Sequence, residues 1–234
     1  MLRSLAAGVV LIVGGMASPA WAQLTEDSGK QVAQEVKLLV TEGTAVIGDL
    51  QPQINSGKVE KDKVTPDALV AQFKARYQKA SGAALDTAAK GVIGDVRRAY
   101  VQAFTSVVTR FQATLVKGGQ DAFVPAFFRA QVLKDFNALT TGKVQAYATN
   151  RDSELINSDW AVHKVMKGST LVPEVDALMK TGGLDPVVKR SGNSVMGYYP
   201  MKLAPACVAC HAQNGLKQTE GAFGGALVAE VPVK

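Results

Sequence analysis

The stretch Val195-Met196-Gly197-Tyr198-Tyr199-Pro200-Met201-Lys202-Leu203-Ala204-Pro205-Ala206-Cys207-Val208-Ala209-Cys210-His211 changes character half-way along. Val195 to Leu203 reads as a strand, with Tyr198 and Tyr199 facing opposite sides. Pro205 then delivers the chain to Cys207-x-x-Cys210-His211, the C-x-x-C-H signature of covalent c-type haem attachment. Two residues between the thiols match the reach between the haem vinyl groups. One helical turn then carries the His211 imidazole under the iron as its proximal ligand. The expectation is one covalent haem c held by Cys207, Cys210 and His211.

Both cysteines of the chain sit in this motif. A thioredoxin-type disulfide is one alternative, but that motif belongs at the strand-to-helix junction of a βαβ unit, and none follows here. Zinc is the other. It would need Cys207, Cys210, His211 and the distant His163, and adjacent Cys210 and His211 rarely point at one metal.

The opposite end of the chain supports haem. Arg3 supplies one positive charge, an apolar run covers Leu5 to Ala17, and Ala20-Trp21-Ala22 is a small-x-small cleavage site. Residues 1–22 therefore read as a secretory signal peptide. The apolar run is too short to span a bilayer comfortably, and no later stretch qualifies as a membrane helix. The expected location is periplasmic or secreted, without a membrane span once the signal is removed. The remaining residues, 23–234, are enough for a single domain with a substantial core. The net charge of +6 is mild, and no Lys/Arg block is flanked by aromatics, which argues against a nucleic-acid partner.

Helical patterns fill the first half, residues 23–117. Val32, Val36, Leu39 and Val40 recur at helical spacing between Glu26 and Leu50, and Pro52 to Gly57 breaks that pattern. Lys58 to Lys63 reads as a charged loop. Thr65-Pro66-Asp67 is a helix start, with Leu69, Phe73 and Tyr77 on one face and Ser81-Gly82 as the stop. A longer helix runs from Gly94 to Val116, striped by Tyr100, Phe104, Val107, Val108, Phe111 and Leu115, and another from Phe123 to Leu139. After Thr140, strands are expected at Lys143–Thr149, Val195–Leu203 and Ala226–Val233. Helices are expected around Asp159–Lys167 and Glu174–Lys180, with a turn at Gly182-Gly183. Short strands after a helical block give an α+β class with a small antiparallel sheet. Common small cytochromes c differ, being nearly all helical with the motif near the N-terminus.

Tyr199-Pro200-Met201, the late Cys207-x-x-Cys210-His211 and the run from Gly221 to Val228 resemble the PAS-like c-type haem proteins. Tyr147 to Trp160, with Arg151, Asn157 and Trp160, is similar to that family's Arg…Asn…Trp stretch, although Ala161 follows the tryptophan in place of Glu. The resemblance covers residues 118–234. It implies a PAS-like antiparallel sheet with N-terminal helices packed against it and one haem between them. It also implies a role in redox or gas sensing.

The sixth iron ligand separates the functions open to such a protein. A Met or His ligand suits electron transfer, whereas an open position admits diatomic gases. His163 is the possible distal imidazole. Met166, Met179, Met196 and Met201 are the thioethers of the chain beyond residue 22, and Met201 is expected to pack near the proximal side. Ala122 to Phe128 carries no ligating group and reads as an apolar distal wall, favouring open or weakly ligated iron. Arg129, Arg151 and Arg190 are candidates to pair with haem propionates, where a guanidinium fork suits a carboxylate. The leading reading is a non-enzymatic periplasmic monohaem cytochrome, carrying electrons to a redox partner protein or sensing redox state or a diatomic gas. The alternative is a peroxidase-like enzyme with an open distal site.

Overall fold

The computed structural model describes residues 24–119, 124–149, 185–203, 205, 208, 219–221 and 223–234. Four helices and a four-stranded antiparallel sheet make an α+β architecture. The helices are α1 (Glu26–Ser56), α2 (Pro66–Ser81), α3 (Val92–Lys117) and α4 (Pro125–Leu139), with a 3₁₀ turn at Lys61–Val64. The strands are β1 (Gln145–Thr149), β2 (Val187–Ser191), β3 (Ser194–Lys202) and β4 (Phe223–Pro232), in the spatial order β1-β4-β3-β2. Among the described residues, no helix is long and apolar enough to cross a membrane.

Helix α1 begins where the Thr25 side chain accepts a hydrogen bond from the Ser28 amide, with Glu26 and Asp27 against the positive end of the helix. It does not stop before Pro52. The proline sits exposed in the last turns, and the helix continues because Leu50, Gln51 and Ile54 are buried on the opposite side. Tertiary burial overrides the local cost of a proline inside a helix. The chain leaves α1 at Gly57, where the Gly57 amide bonds the Ile54 carbonyl and the Lys58 amide bonds that of Gln53. Helix α2 starts as its sequence requires, with Thr65 Oγ1 accepting from the Ala68 amide and Pro66 in the first turn. The expected charged loop tightens into the 3₁₀ turn because Val64 within it is fully buried.

An aromatic cluster lies among the helices, inside a larger aliphatic core. Phe73 stacks on Phe104 with ring centroids 5.2 Å apart, and Tyr100 lies 5.5 Å from Phe73. Phe128 meets Phe104 edge-on at 5.2 Å, and Phe136 meets Tyr100 at 6.0 Å. Helix α1 approaches its neighbours through glycines. A Cβ on Gly43 would stand 2.5 Å from the Tyr100 hydroxyl, and one on Gly29 would stand 2.6 Å from Val233 Cγ1.

The sheet has two apolar faces. Ala146, Ala148, Val195, Tyr199, Leu227, Ala229 and Val231 join the helical core. Met196, Tyr198, Ala226 and Val228 form a second cluster on the other face, with Tyr147 and Val187 packed against it. Tyr198 and Tyr199 thus face opposite sides, as strand alternation demands. Strand β2 is an element that the periodicity reading missed. Its signal is Ser191-Gly192-Asn193-Ser194, a Gly-Asn pair that turns β2 into β3 with Ser191 opposite Ser194. The expected features at Asp159–Lys167, Glu174–Lys180 and Gly182-Gly183 lie outside the described residues, as does the signal segment 1–22.

Candidate functional site

Strands β3 and β4 pair in constant register from Ser194↔Pro232 to Pro200↔Ala226, and the next pair is Lys202↔Phe223. Met201 therefore opposes two residues, Gly224 and Gly225, which is the geometry of a β-bulge. Gly225 has φ 116°, a conformation that side chains disfavour. Gly224 is crowded, since a Cβ there would lie 2.7 Å from Leu203 Cδ2. Beyond the bulge the Gly221 amide donates to the Leu203 carbonyl at 3.0 Å, and Leu203 is buried. This hydrogen bond closes the root of residues 204–220, the insertion that carries the C-x-x-C-H motif. Within the insertion, Pro205 and Val208 have helical backbone, Pro205 exposed and Val208 half-buried.

Arg129 stands beside that root. Helix α4 is set by Phe128, which is fully buried against Phe104, and by Phe127, which packs edge-on against Phe111 at 5.3 Å. The next residue, Arg129, reaches the sheet and donates from Nη1 to Met201 Sδ at 3.1 Å. A thioether is a weak acceptor for a guanidinium. The contact joins α4 to the end of β3, six residues before Cys207. Arg129 also raises the local positive potential at Tyr100, although burial dominates and pushes that phenol up.

Arg190 is elsewhere. It lies on β2, exposed, opposite Val195, and donates to the carbonyls of Gly192 and Lys234. Val195 and Met201 are separated along β3 by about 20 Å at strand rise, so Arg129 and Arg190 mark opposite ends of the strand. Met196 is buried in the second apolar cluster, and Met201 is the methionine at the hairpin root. Cys207, Cys210, His211, His163, Arg151, Asn157, Trp160, Met166 and Met179 lie outside the described residues, as do Ala122 and Phe123 of the expected distal wall. The described part of that wall is apolar: Val124, Ala126 and Phe127 pack on the core that contains Phe128.

The sequence did not disclose the Arg129–Met201 contact, because the partners are 72 residues apart. The doubled glycine Gly224-Gly225 was a visible sign of a bulge. Comparison of the chain with family models, with curated proteins and with solved structures finds no match.

Proposed function

We propose that the protein is an exported monohaem c-type cytochrome of PAS-like build, serving as an electron carrier or as a sensor of redox state or a diatomic gas. Haem c is held through Cys207 and Cys210, with His211 on the iron. The observation that carries the reading is the position of C-x-x-C-H in an insertion of the β3–β4 hairpin. That insertion is closed at its root by Gly221 and Leu203 and flanked by a half-buried arginine. The donor set suits the group. Two thiols and an imidazole fall within five residues, and Arg129, whose guanidinium fork suits a carboxylate, stands at the hairpin root through its contact with Met201. When bound, haem supplies one-electron redox chemistry or gas binding. The chain's own part is to anchor the group at the hairpin and to exclude water with the apolar face of α4.

The test is direct. The full chain, co-expressed with cytochrome c maturation machinery, is purified and its spectrum recorded oxidised, reduced, and reduced with carbon monoxide. Haem that stays with the chain through acid-acetone extraction, and is lost in Cys207→Ala/Cys210→Ala, is the expected result. Haem released to the solvent, or a colourless protein, would refute it. A carbon monoxide-sensitive, high-spin reduced form is expected from the ligand-free α4 entrance. An insensitive low-spin form assigns electron transfer instead, and His163→Ala then tests whether that histidine is the sixth ligand.

A further inference from the structure

Three helices converge on a second polar site, distant in sequence from the haem motif. Tyr77 of α2 is 1% exposed and donates its phenolic hydrogen to Glu35 Oε1 of α1 at 2.7 Å. Arg97 of α3 donates from Nε to the same oxygen at 2.8 Å and from Nη2 to Glu35 Oε2 at 3.3 Å. The Arg97 Nη2 group also reaches the Tyr77 oxygen at 2.7 Å, and the guanidinium carbon lies 5.5 Å from the Tyr77 ring centroid. The phenol therefore has a base on its proton and a separate donor on its oxygen.

That arrangement differs from the surroundings of Tyr100 and Tyr199. Tyr100 lies near the cation Arg129, and the Tyr199 hydroxyl is buried with no hydrogen-bond partner. Removing an electron from a phenol makes it a strong acid, so oxidation inside a protein needs an acceptor for the proton. A carboxylate at hydrogen-bond distance meets the geometric requirement for a general base. Tyr77 also adjoins the aromatic core. Phe73, one helical turn before it on the same buried face, stacks on Phe104, which meets Phe128 next to Arg129.

We infer that Tyr77, Glu35 and Arg97 form a proton-coupled redox site, with Tyr77 as the residue that gives up an electron to an outer-sphere one-electron oxidant. In the step the oxidant gains one electron. The Tyr77 O–H bond breaks, its proton passes to Glu35 Oε1, and a neutral tyrosyl radical remains, hydrogen-bonded by Arg97 Nη2 and by the protonated carboxyl. Rereduction by one electron returns the proton to the phenol. Burial, with help from Glu35, pushes the phenol up to about 12, so it enters the step protonated at any ordinary pH. The site does not depend on what the hairpin carries.

The experiment uses the full chain, photo-oxidised by flash-quenched tris(bipyridyl)ruthenium(III) and frozen for electron paramagnetic resonance. A tyrosyl signal is expected in the unaltered protein, retained in Tyr100→Phe and lost in Tyr77→Phe. Glu35→Gln keeps a hydrogen-bond acceptor but not a base. It should slow radical formation by about a hundredfold, the lower range for a positioned base, and change the solvent deuterium isotope effect. Absence of the signal in the unaltered protein, its survival in Tyr77→Phe, or an unchanged rate in Glu35→Gln each overturns the assignment. A purely structural clasp would alter melting in these variants without altering where the radical forms.

Discussion

The helical region α1–α3 and the β3–β4 hairpin solve opposite packing problems. Between the helices the space is filled by the largest side chains available, Phe73, Tyr77, Tyr100 and Phe104, each at most 1% exposed. Ion pairs then lock the helices across their seams: Arg97 to Glu35, and Arg76 to both Glu42 and Asp49. The root of the hairpin gathers small residues, Gly221, Gly224, Gly225 and Ala226, against Met201 and Leu203. There the fixing contacts are a backbone hydrogen bond and a weak guanidinium–thioether contact. Large interlocked side chains make a region rigid by itself, because each displaced methylene costs contacts. Small residues and a bulge let backbone and inserted chain approach closely. The difference teaches that the helices hold the fold while the hairpin presents the motif.

The comparison breaks if the helical core proves dispensable. Phe73→Ala removes a ring that touches Tyr100 and Phe104, and should cost about 4 kcal/mol in urea unfolding. A loss under about 1 kcal/mol would mean the aromatic array does not carry the core. Alkali should test the core that the helices share with the sheet. Burial pushes Tyr77 and Tyr199 up to about 12, against about 10 for an unfolded chain. Their contribution is fully present below about pH 10 and falls as pH rises towards about 12, because the unfolded chain then releases protons that the folded chain retains. Urea midpoints should therefore drop between about pH 10 and about pH 12, and drop less in Tyr77→Phe. A next-smaller effect is expected at the α1–α3 contact. Gly43→Ala forces a methyl against the Tyr100 hydroxyl and should destabilise by about 2 kcal/mol, with Gly43→Ala/Tyr100→Phe recovering part of the loss.

Two smaller effects sharpen the sheet side. Tyr199→Phe removes a buried hydroxyl that has no hydrogen-bond partner, and should raise stability by about 1 kcal/mol. Destabilisation there would reveal an acceptor for that hydroxyl. The smallest structural effect is expected from Cys207→Ala/Cys210→Ala. The insertion is closed off at Leu203 and Gly221, so far-ultraviolet circular dichroism of that variant should retain its helical signal. Loss of helicity would show that the helical region depends on the hairpin, and the contrast between them would fall.

Local chemistry in the sequence determined a good deal of this protein. Thr65-Pro66-Asp67 starts α2 because the capping group and the permitted proline are both within one turn. The stripe from Tyr100 to Leu115 sets α3 because its period is helical, and Tyr198-Tyr199 splits across the sheet because strand side chains alternate. The C-x-x-C-H motif is equally local, since its five residues are contiguous in the chain. What needed tertiary structure was every decision made by residues far apart. Helix α1 runs through Pro52 because Ile54 finds a core to enter. Arg129, not Arg190, stands at the hairpin root because α4 packs across the sheet at that end. Tyr77 meets Glu35 and Arg97 only when three helices close on one another, with separations of 42 and 20 residues. Capping, periodicity and covalent motifs act over one or two turns of chain, so they can be read in order. Ion pairs and side-chain contacts depend on distance in space, which only the closed fold defines.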